Sequence, residues 1–253
     1  MSRLLVIPAA GLGSRLGDST PKVLVRVAGA TMLDRLLDLY KDAVDRAVLV
    51  VNPAFADDVA RHVAGHSAAA RIECVVQEAP TGMLDAILLG RPVAERLRPS
   101  SVWVTWCDQI AVHPKTVGRL AAHTASAMHA AVVMPTVTRH HPYIHLQRDA
   151  AGRIVRVLHR REGDEMPETG ESDIGLFAMS PRAYEERLPQ YSQSVEIGSV
   201  TGERNFLPFI PWLARTERIT TFPCENPMEA VGINTPEDLE SVARYLRTLS
   251  PEP

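Results

Sequence analysis

The residues best placed to do chemistry lie between positions 9 and 24. They read Ala9-Ala10-Gly11-Leu12-Gly13-Ser14-Arg15-Leu16, a short gap, then Pro21-Lys22-Val23-Leu24, directly after the apolar run Leu4–Ile7. Small residues let backbone N–H groups approach phosphate oxygens closely. Arg15 adds a fork of donors and Lys22 a compact point charge, two different ways to hold a polyphosphate. Asp108 follows the apolar run Val102–Trp106. A carboxylate at a strand end can hold Mg²⁺, a hard ion that prefers oxygen ligands plus phosphate, or it can cap the next turn.

The common nucleotide loops are not present. Gly11 and Gly13 fit the start of a dinucleotide fingerprint, but Leu16 stands where its third glycine belongs. A Walker loop needs a Gly-Lys pair, and the chain has none. No Ser/His/Asp or Cys/His set suggests a covalent nucleophile. The run His140-His141-Pro142-Tyr143-Ile144-His145 is read as polar cleft or loop histidines, because Pro142 breaks the helical spacing that paired ligands would need. Cys74, Cys107 and Cys224 are unpatterned and read as buried free thiols, which suits a reducing compartment. Trp103, Trp106 and Trp212 are read as packing residues.

These residues need elements to position them. Strands are expected at Arg3–Pro8, Arg46–Val51, Arg71–Val76, Val102–Trp106 and Ala130–Met134. Helices are expected near Thr31–Tyr40, Ala54–Val63, Gly82–Glu95 and Pro114–Ala125. Such alternation predicts an α/β fold, a Rossmann-like, mostly parallel sheet with helices on both faces. Ligands on such sheets bind beyond the carboxyl ends of the strands, where the 9–24 loop, Gln77 and Asp108 all fall.

After residue 135 a smaller β-rich portion is expected. Tyr143–Gln147 and Ile154–Leu158 form a hairpin over Asp149-Ala150-Ala151-Gly152. Residues 160–172 read as an exposed loop, Asp173–Met179 as a strand, Gly202–Arg215 as a helix limited by Pro208 and Pro211, and Thr216–Pro223 as a strand. Thr235-Pro236-Glu237-Asp238 starts the last helix. The division expected is one domain: a nucleotide-binding half to residue 110, an acceptor-binding half over 111–235, and a C-terminal helix and tail over 236–253.

Composition narrows the class. A chain of 253 residues buries roughly 70–75% of its unfolded surface without disulfide or metal staples. Net charge is −3 with the signs mixed, so no basic patch favours nucleic acid or an anionic membrane. No apolar run approaches membrane-span length, and residues 1–10 are too short for a secretory signal; a cytoplasmic location is expected. Lys22, Lys41 and Lys115 are the only lysines among 27 lysines and arginines. A lysine kept in so arginine-rich a chain fits a site that needs a compact ammonium.

The 9–24 stretch resembles the signature of the sugar-phosphate nucleotidyltransferases, and is most similar to that of the uridylyltransferase domain acting on N-acetylglucosamine 1-phosphate. The resemblance runs from residue 3 to about residue 247 and implies a nucleotidyltransferase, GT-A-like fold. It implies nucleotide contacts from Ala9, Ala10, Gly11, Gly13, Ser14, Gln77 and Gly82, with Arg15 and Lys22 in catalysis. A glutamine after the third strand, with its donor and acceptor, suits a pyrimidine edge. Asp108 and Asn234, the latter in Gly232-Ile233-Asn234, correspond to a Mg²⁺ site; as plain sequence, Asn234 also reads as a helix cap.

Tyr143, Asp173 and Gly175 fall where the acceptor binds. There the pattern departs: Asp173-Ile174-Gly175 replaces Asn-Thr-Gly, Ile144 replaces a glycine, and His159 stands near a sugar-binding glutamate. Met83-Leu84-Asp85 replaces small and histidine residues. Glu196 and Gly202–Phe206 are expected to line the acceptor pocket. The implied partners are a nucleoside triphosphate and a phosphorylated small-molecule acceptor. No hexapeptide repeat occurs, so the acetyltransferase domain of some relatives is not expected. A cytidylyltransferase for a polyol or choline-type phosphate, and a noncatalytic nucleotide-sugar sensor, remain open on the residues alone.

Overall fold

The computed structural model describes residues 2–11, 20–126 and 129–249. Its first strand shows how the sequence sorts itself. β1 (Arg3–Ala9) alternates, with Leu5 and Ile7 entering one apolar cluster and Leu4 and Val6 the other. β4 (Arg46–Val51) divides the same way, Leu49 and Val51 against Val48 and Val50. A strand buried on both faces must sit inside a sheet covered by helices on both sides.

The remaining strands are β2 (Arg26–Val27), β3 (Ala30–Thr31), β5 (Ile72–Val76), β6 (Ser101–Thr105), β7 (Ala130–His140), β8 (Ile144–Arg148), β9 (Ile154–His159), β10 (Thr169–Asp173), β11 (Leu176–Met179) and β12 (Arg218–Pro223). The main sheet has eight strands in the order β10-β7-β11-β6-β1-β4-β5, with β12 also paired to β7. The pairs β6–β1, β1–β4, β4–β5 and β12–β7 are parallel; β10 and β11 run antiparallel to β7. β2 with β3, and β8 with β9, are separate two-stranded ribbons.

Helices α1 (Met32–Tyr40), α2 (Ala56–Ala64), α5 (Pro114–Ser126) and α8 (Pro236–Leu249) place Leu33, Leu36, Val59, Val117, Leu120 and Val242 in the first cluster. Helices α3 (Met83–Leu88), α4 (Arg91–Leu97), α6 (Leu188–Ser192) and α7 (Phe209–Leu213) cover the other face with Leu84, Ile87, Val93, Leu188, Phe209 and Leu213. Thr31 caps α1 reciprocally with Asp34, fixing its start.

Several sequence expectations are corrected. The helix read over Gly82–Glu95 is two, broken at Gly90, where the Tyr184 hydroxyl donates to the Ile87 carbonyl at 2.7 Å. Residues 160–172 are not one exposed loop: Arg160–Glu162 is a 3₁₀ turn and Thr169 begins β10, which pairs with β7. Its polar side chains are engaged, since Glu171 accepts from Arg148 at 2.6 and 2.7 Å. β7 runs on to His140, well past Met134, because β10 continues the ladder. Only Phe209–Leu213 of the segment Gly202–Arg215 is α-helical. Asp173–Met179 is split into β10 and β11 by Gly175, which has φ +70°.

A Cβ at Gly175 would also run into the Trp106 ring. Gly118, inside α5, is exposed and has no neighbouring atom within 4 Å of a built Cβ. The same substitution should therefore have opposite signs at the two places. Gly175→Ala should destabilise by about 2–4 kcal/mol through strain and overlap. Gly118→Ala should stabilise by about 0.5–1 kcal/mol through helix propensity. Urea midpoints of the two variants test this.

Candidate functional site

The carboxyl ends of β1, β5 and β6 carry the residues singled out by the sequence. Ala9 closes β1, Gln77 follows β5, and Asp108 lies just beyond β6. Sheet order puts β1 beside β6 and β5 two places further on. Three strand spacings of about 4.8 Å separate Gln77's strand from Asp108's, roughly 14 Å, a span suited to a nucleoside triphosphate. Ala10 is buried, and its carbonyl accepts from the Asn52 side chain at 3.0 Å. Gly11 has open space around it. Gly13, Ser14 and Arg15 lie outside the described residues.

Lys22 opens a short 3₁₀ turn, Lys22–Leu24, after Pro21. Its ammonium meets Asp108 Oδ2 at 2.5 Å and Asn234 Oδ1 at 3.0 Å. Three residues spread over the whole chain thus converge on one point. Asn234 presents its oxygen because its side-chain nitrogen donates to Gly232 O at 3.3 Å. The helix-capping work is done by its neighbour: Thr235 and Asp238 exchange bonds at 2.9 and 3.2 Å to start α8.

The packing that brings Asn234 to Asp108 was not read from the sequence. Glu229 is fully buried, and its carboxylate accepts from His113 N at 2.9 Å and Asn226 N at 2.7 Å. Gln109 donates to Glu229 O at 2.8 Å, and Ile233 N reaches Asp108 O at 3.4 Å. A Cβ on Gly232 would stand 3.1 Å from Asp108 Oδ2. The signal was in the sequence: Asn226-Pro227-Met228-Glu229 is a capping box with proline at its first turn.

Gln77 is buried, and its Nε2 donates to Gly82 O at 3.2 Å and to Thr81 Oγ1 at 3.5 Å. Gln77 and Gly82 therefore belong to one turn.

Of the residues expected to meet the acceptor, Tyr143 is exposed and stands edge-on to His159 at 5.3 Å. Asp173 is buried and its Oδ2 accepts from Gly175 N at 2.8 Å; Gly175 O in turn accepts from Trp106 N at 3.1 Å. This pair of residues thus shapes the backbone beside Trp106, two positions before Asp108. Glu196 is exposed. Phe206, expected to line the pocket, is instead core, buried against Trp106 and Phe177 at 5.9 and 5.2 Å. Trp103 is fully buried, as expected of a packing residue.

The metal reading is tested by donor chemistry. One carboxylate oxygen and one amide oxygen already face a cationic nitrogen, and both are hard donors suited to Mg²⁺ that keeps water and phosphate in its shell. Among the described residues no group of three His, Cys, Asp or Glu side chains could hold a metal. His140 bonds Thr169 at 2.8 Å and His145 bonds Glu171 O at 3.2 Å, so these histidines serve the β7–β10 edge. The three cysteines are free and half-buried, and burial pushes the Cys107 thiol up to about 12.

Residues 5–171 match the MobA-like NTP transferase domain. The chain belongs to this family. Lys22, Gln77 and Asp108 fall inside the family match, whereas Asp173, Gly175 and Asn234 lie beyond it.

The chain is also similar to bifunctional GlmU proteins almost from end to end. It is 26% identical over 251 residues to that of Pelotomaculum thermopropionicum, covering 98% of this chain and 52% of the relative. For Thermodesulfovibrio yellowstonii the figures are 26% over 248 residues, 96% and 52%; for Paraburkholderia phytofirmans, 28% over 245 residues, 95% and 51%. The chain spans about half the length of these relatives. Among the described residues no helix is long and apolar enough to cross a membrane.

Burial pushes the Asp173 carboxyl up from 3.8 to about 6. The folded state therefore holds this proton more tightly than the unfolded chain. Its contribution to stability is fully present below pH 3.8 and is lost as pH rises through about 6. Asp173→Asn keeps an acceptor for Gly175 N and removes the buried charge. The variant should exceed wild type by roughly 1–3 kcal/mol at pH 8, and the gap should close below pH 4. Denaturation curves across this range check it.

Proposed function

We propose that the protein is a Mg²⁺-dependent nucleotidyltransferase. It transfers an NMP from a pyrimidine NTP, with UTP favoured, to a phosphorylated acceptor, a sugar 1-phosphate, and releases pyrophosphate. The observation that carries this is the convergence of Lys22, Asp108 and Asn234 beside the end of β6. The family match supports the same reaction class.

An anionic oxygen of the acceptor phosphate attacks the α-phosphorus in line. The new P–O bond forms as the bond to the β-phosphate breaks, and the electron pair leaves on pyrophosphate. No general base is needed, since the attacking oxygen carries no proton to remove. The work is positioning and charge stabilisation. Ala9, Ala10, Gly11, Gly13 and Ser14 bring backbone to the triphosphate, and Arg15 and Lys22 neutralise it. Asp108 and Asn234 would hold Mg²⁺, which would supply Lewis-acid stabilisation of charge on the phosphate oxygens. Gln77 and Gly82 take the base; Tyr143, Asp173 and Gly175 face the acceptor.

Lys22 has a second task in this scheme. Without nucleotide its ammonium balances Asp108; when a triphosphate enters, it moves to the phosphate oxygens and leaves the carboxylate for the metal. A point charge on a flexible stem suits such an exchange better than a planar fork.

Pyrophosphate release across the NTPs and a panel of phosphorylated acceptors tests the function. Turnover with a pyrimidine NTP and a sugar 1-phosphate supports it. Turnover only with CTP and a polyol or choline-type phosphate would replace it by a cytidylyltransferase. Nucleotide-sugar binding with no release would replace it by a sensor.

Lys22→Met should lower kcat/KM by ~10²–10³. The same variant should bind Mn²⁺ alone more tightly than wild type, by electron paramagnetic resonance, because no ammonium competes for Asp108. Asp108→Asn should bind it more weakly in either background. Mn²⁺ affinity unchanged by Lys22→Met would remove the exchange, while Mn²⁺ affinity unchanged by Asp108→Asn would remove the metal site.

A further inference from the structure

The segment 198–205 joins the two halves of the molecule. Arg204 N donates to Thr81 O at 2.9 Å, and Arg204 O accepts from Leu84 N at 3.1 Å. These two bonds straddle Gly82. With φ +121°, Gly82 has no room for a side chain: a Cβ would stand 2.5 Å from Arg204 N and 2.7 Å from Arg204 O. Gly82, at the N-cap of α3, makes no side-chain capping bond, so the Arg204 carbonyl satisfies one of that helix's first N–H groups.

The Arg204 guanidinium locks the arrangement. It meets Asp85 Oδ1 at 2.5 Å and also donates to Ser192 O. Both side chains are mostly buried, with 29% and 20% of their surface exposed, so the pair is partly shielded from water. Asp85 is one of the residues by which this sequence departs from the nucleotidyltransferase signature, and its partner explains why an acid is tolerated there.

The other end of the segment is tied to the acceptor side. Glu162 accepts from Thr201 Oγ1 at 2.5 Å, Asn205 Nδ2 at 3.0 Å and Val200 N at 3.2 Å. The Thr201 hydroxyl, with these other donors, holds its carboxyl down at about 2. Arg161 reaches Glu203 at 3.4 Å. Arg204 is thus pressed on the Gly82 turn by a segment anchored next to the β8–β9 ribbon.

The consequence falls on Gln77. Its Nε2 donates to Gly82 O, and a carbonyl can only accept, so the turn fixes which way the carboxamide faces. Among the described residues nothing donates to Gln77 Oε1. That oxygen is the acceptor available to an N–H on a base edge. If the turn shifts, the carboxamide loses its fixed orientation and with it the ability to discriminate.

We propose that Arg204, through Asp85 and the Gly82 turn, is a positioning residue that sets base selectivity at Gln77. The proposal rests on Gln77 being the base contact. It assigns selectivity for the nucleotide to a residue in the acceptor half that does not touch the nucleotide.

The experiment measures binding of UTP, CTP, ATP and GTP by calorimetry, with kcat and melting temperature alongside. It uses wild type, Gln77→Ala, Arg204→Ala, Arg204→Lys and the charge-exchanged Asp85→Arg/Arg204→Asp. Arg204→Ala should weaken pyrimidine triphosphates by about tenfold, the effect of one good charged contact, and flatten the pyrimidine-to-purine ratio as Gln77→Ala does. Arg204, expected from the sequence to line the acceptor pocket, instead spends its guanidinium on Asp85 and Ser192 O, so kcat at saturation should stay within about threefold. Arg204→Lys should fall between, keeping charge but not the fork. The charge exchange should recover part of the ratio.

A ratio unchanged in Arg204→Ala while Gln77→Ala flattens it overturns the proposal. So does a lowered melting temperature with selectivity intact. A ratio unmoved by Gln77→Ala instead overturns the reading of Gln77 itself. Should Arg204→Ala fail to fold, Arg204→Lys and the exchange carry the same comparison.

Discussion

The site exists because a buried carboxylate bolts the 226–234 segment to the end of β6. Glu229 has no exposed surface, and burying a carboxylate without compensation costs several kcal/mol. Here two backbone N–H groups, from His113 and Asn226, donate to its two oxygens. The Gln109 amide adds a bond to the Glu229 backbone. With that bolt in place Gly232 lies flat on Asp108, and Asn234 follows within reach of Lys22. Remove the bolt and two partly buried N–H groups lose their acceptor, while Asn234 loses its place. The chemistry of the site is thus set by residues that do none of it.

The sheet supplies the other constraint. Parallel strands β6, β1, β4 and β5 end on one side, so loops distant in sequence share a crevice. Beyond β6 the strand direction changes: β10 runs antiparallel to β7, and after the kink at Gly175 the chain goes on as β11, antiparallel to both β6 and β7. That kink is where Asp173 holds Gly175 N and where Gly175 rests on Trp106. The Asp173–Gly175 backbone is therefore fitted directly to the strand that leads into Asp108. The proposed reaction between two anionic substrates needs this kind of rigid juxtaposition, because attack requires a near-linear geometry that solution does not maintain.

Local patterns made the sheet legible in the sequence, and long-range contacts account for what was not. β1, β4, β5 and β6 are short apolar runs bounded by turn residues, and each fell within a residue or so of its expected place. Thr31 and Thr235 announce their helices through side chains that bond their own first turns. β10 was unreadable because Thr169-Gly170-Glu171-Ser172-Asp173 is polar; it becomes a strand only because β7 and Arg148 supply partners. The break at Gly90 depends on a tyrosine 94 positions later packing against that glycine. Lys22, Asp108 and Asn234 could be named from their surroundings in sequence, but Glu229 and Arg204 act through contacts that only the fold creates.

Why the cation at the centre is a lysine follows from the distances. One nitrogen reaches two oxygens that lie far apart in the chain, on Asp108 and Asn234, at 2.5 and 3.0 Å. A guanidinium spreads its donors across a plane and would engage one carboxylate in a fork, which is harder to release. In the proposed reaction the nucleotide-free site needs a charge that balances Asp108 without committing to it. An ammonium on a four-carbon stem does this and can follow phosphate oxygens as they arrive. The same property makes lysine a poor structural anchor. That fits a division of labour in which Arg148, Arg187 and Arg204 tie elements together through paired contacts, while Lys22 takes the exchanging role proposed for it.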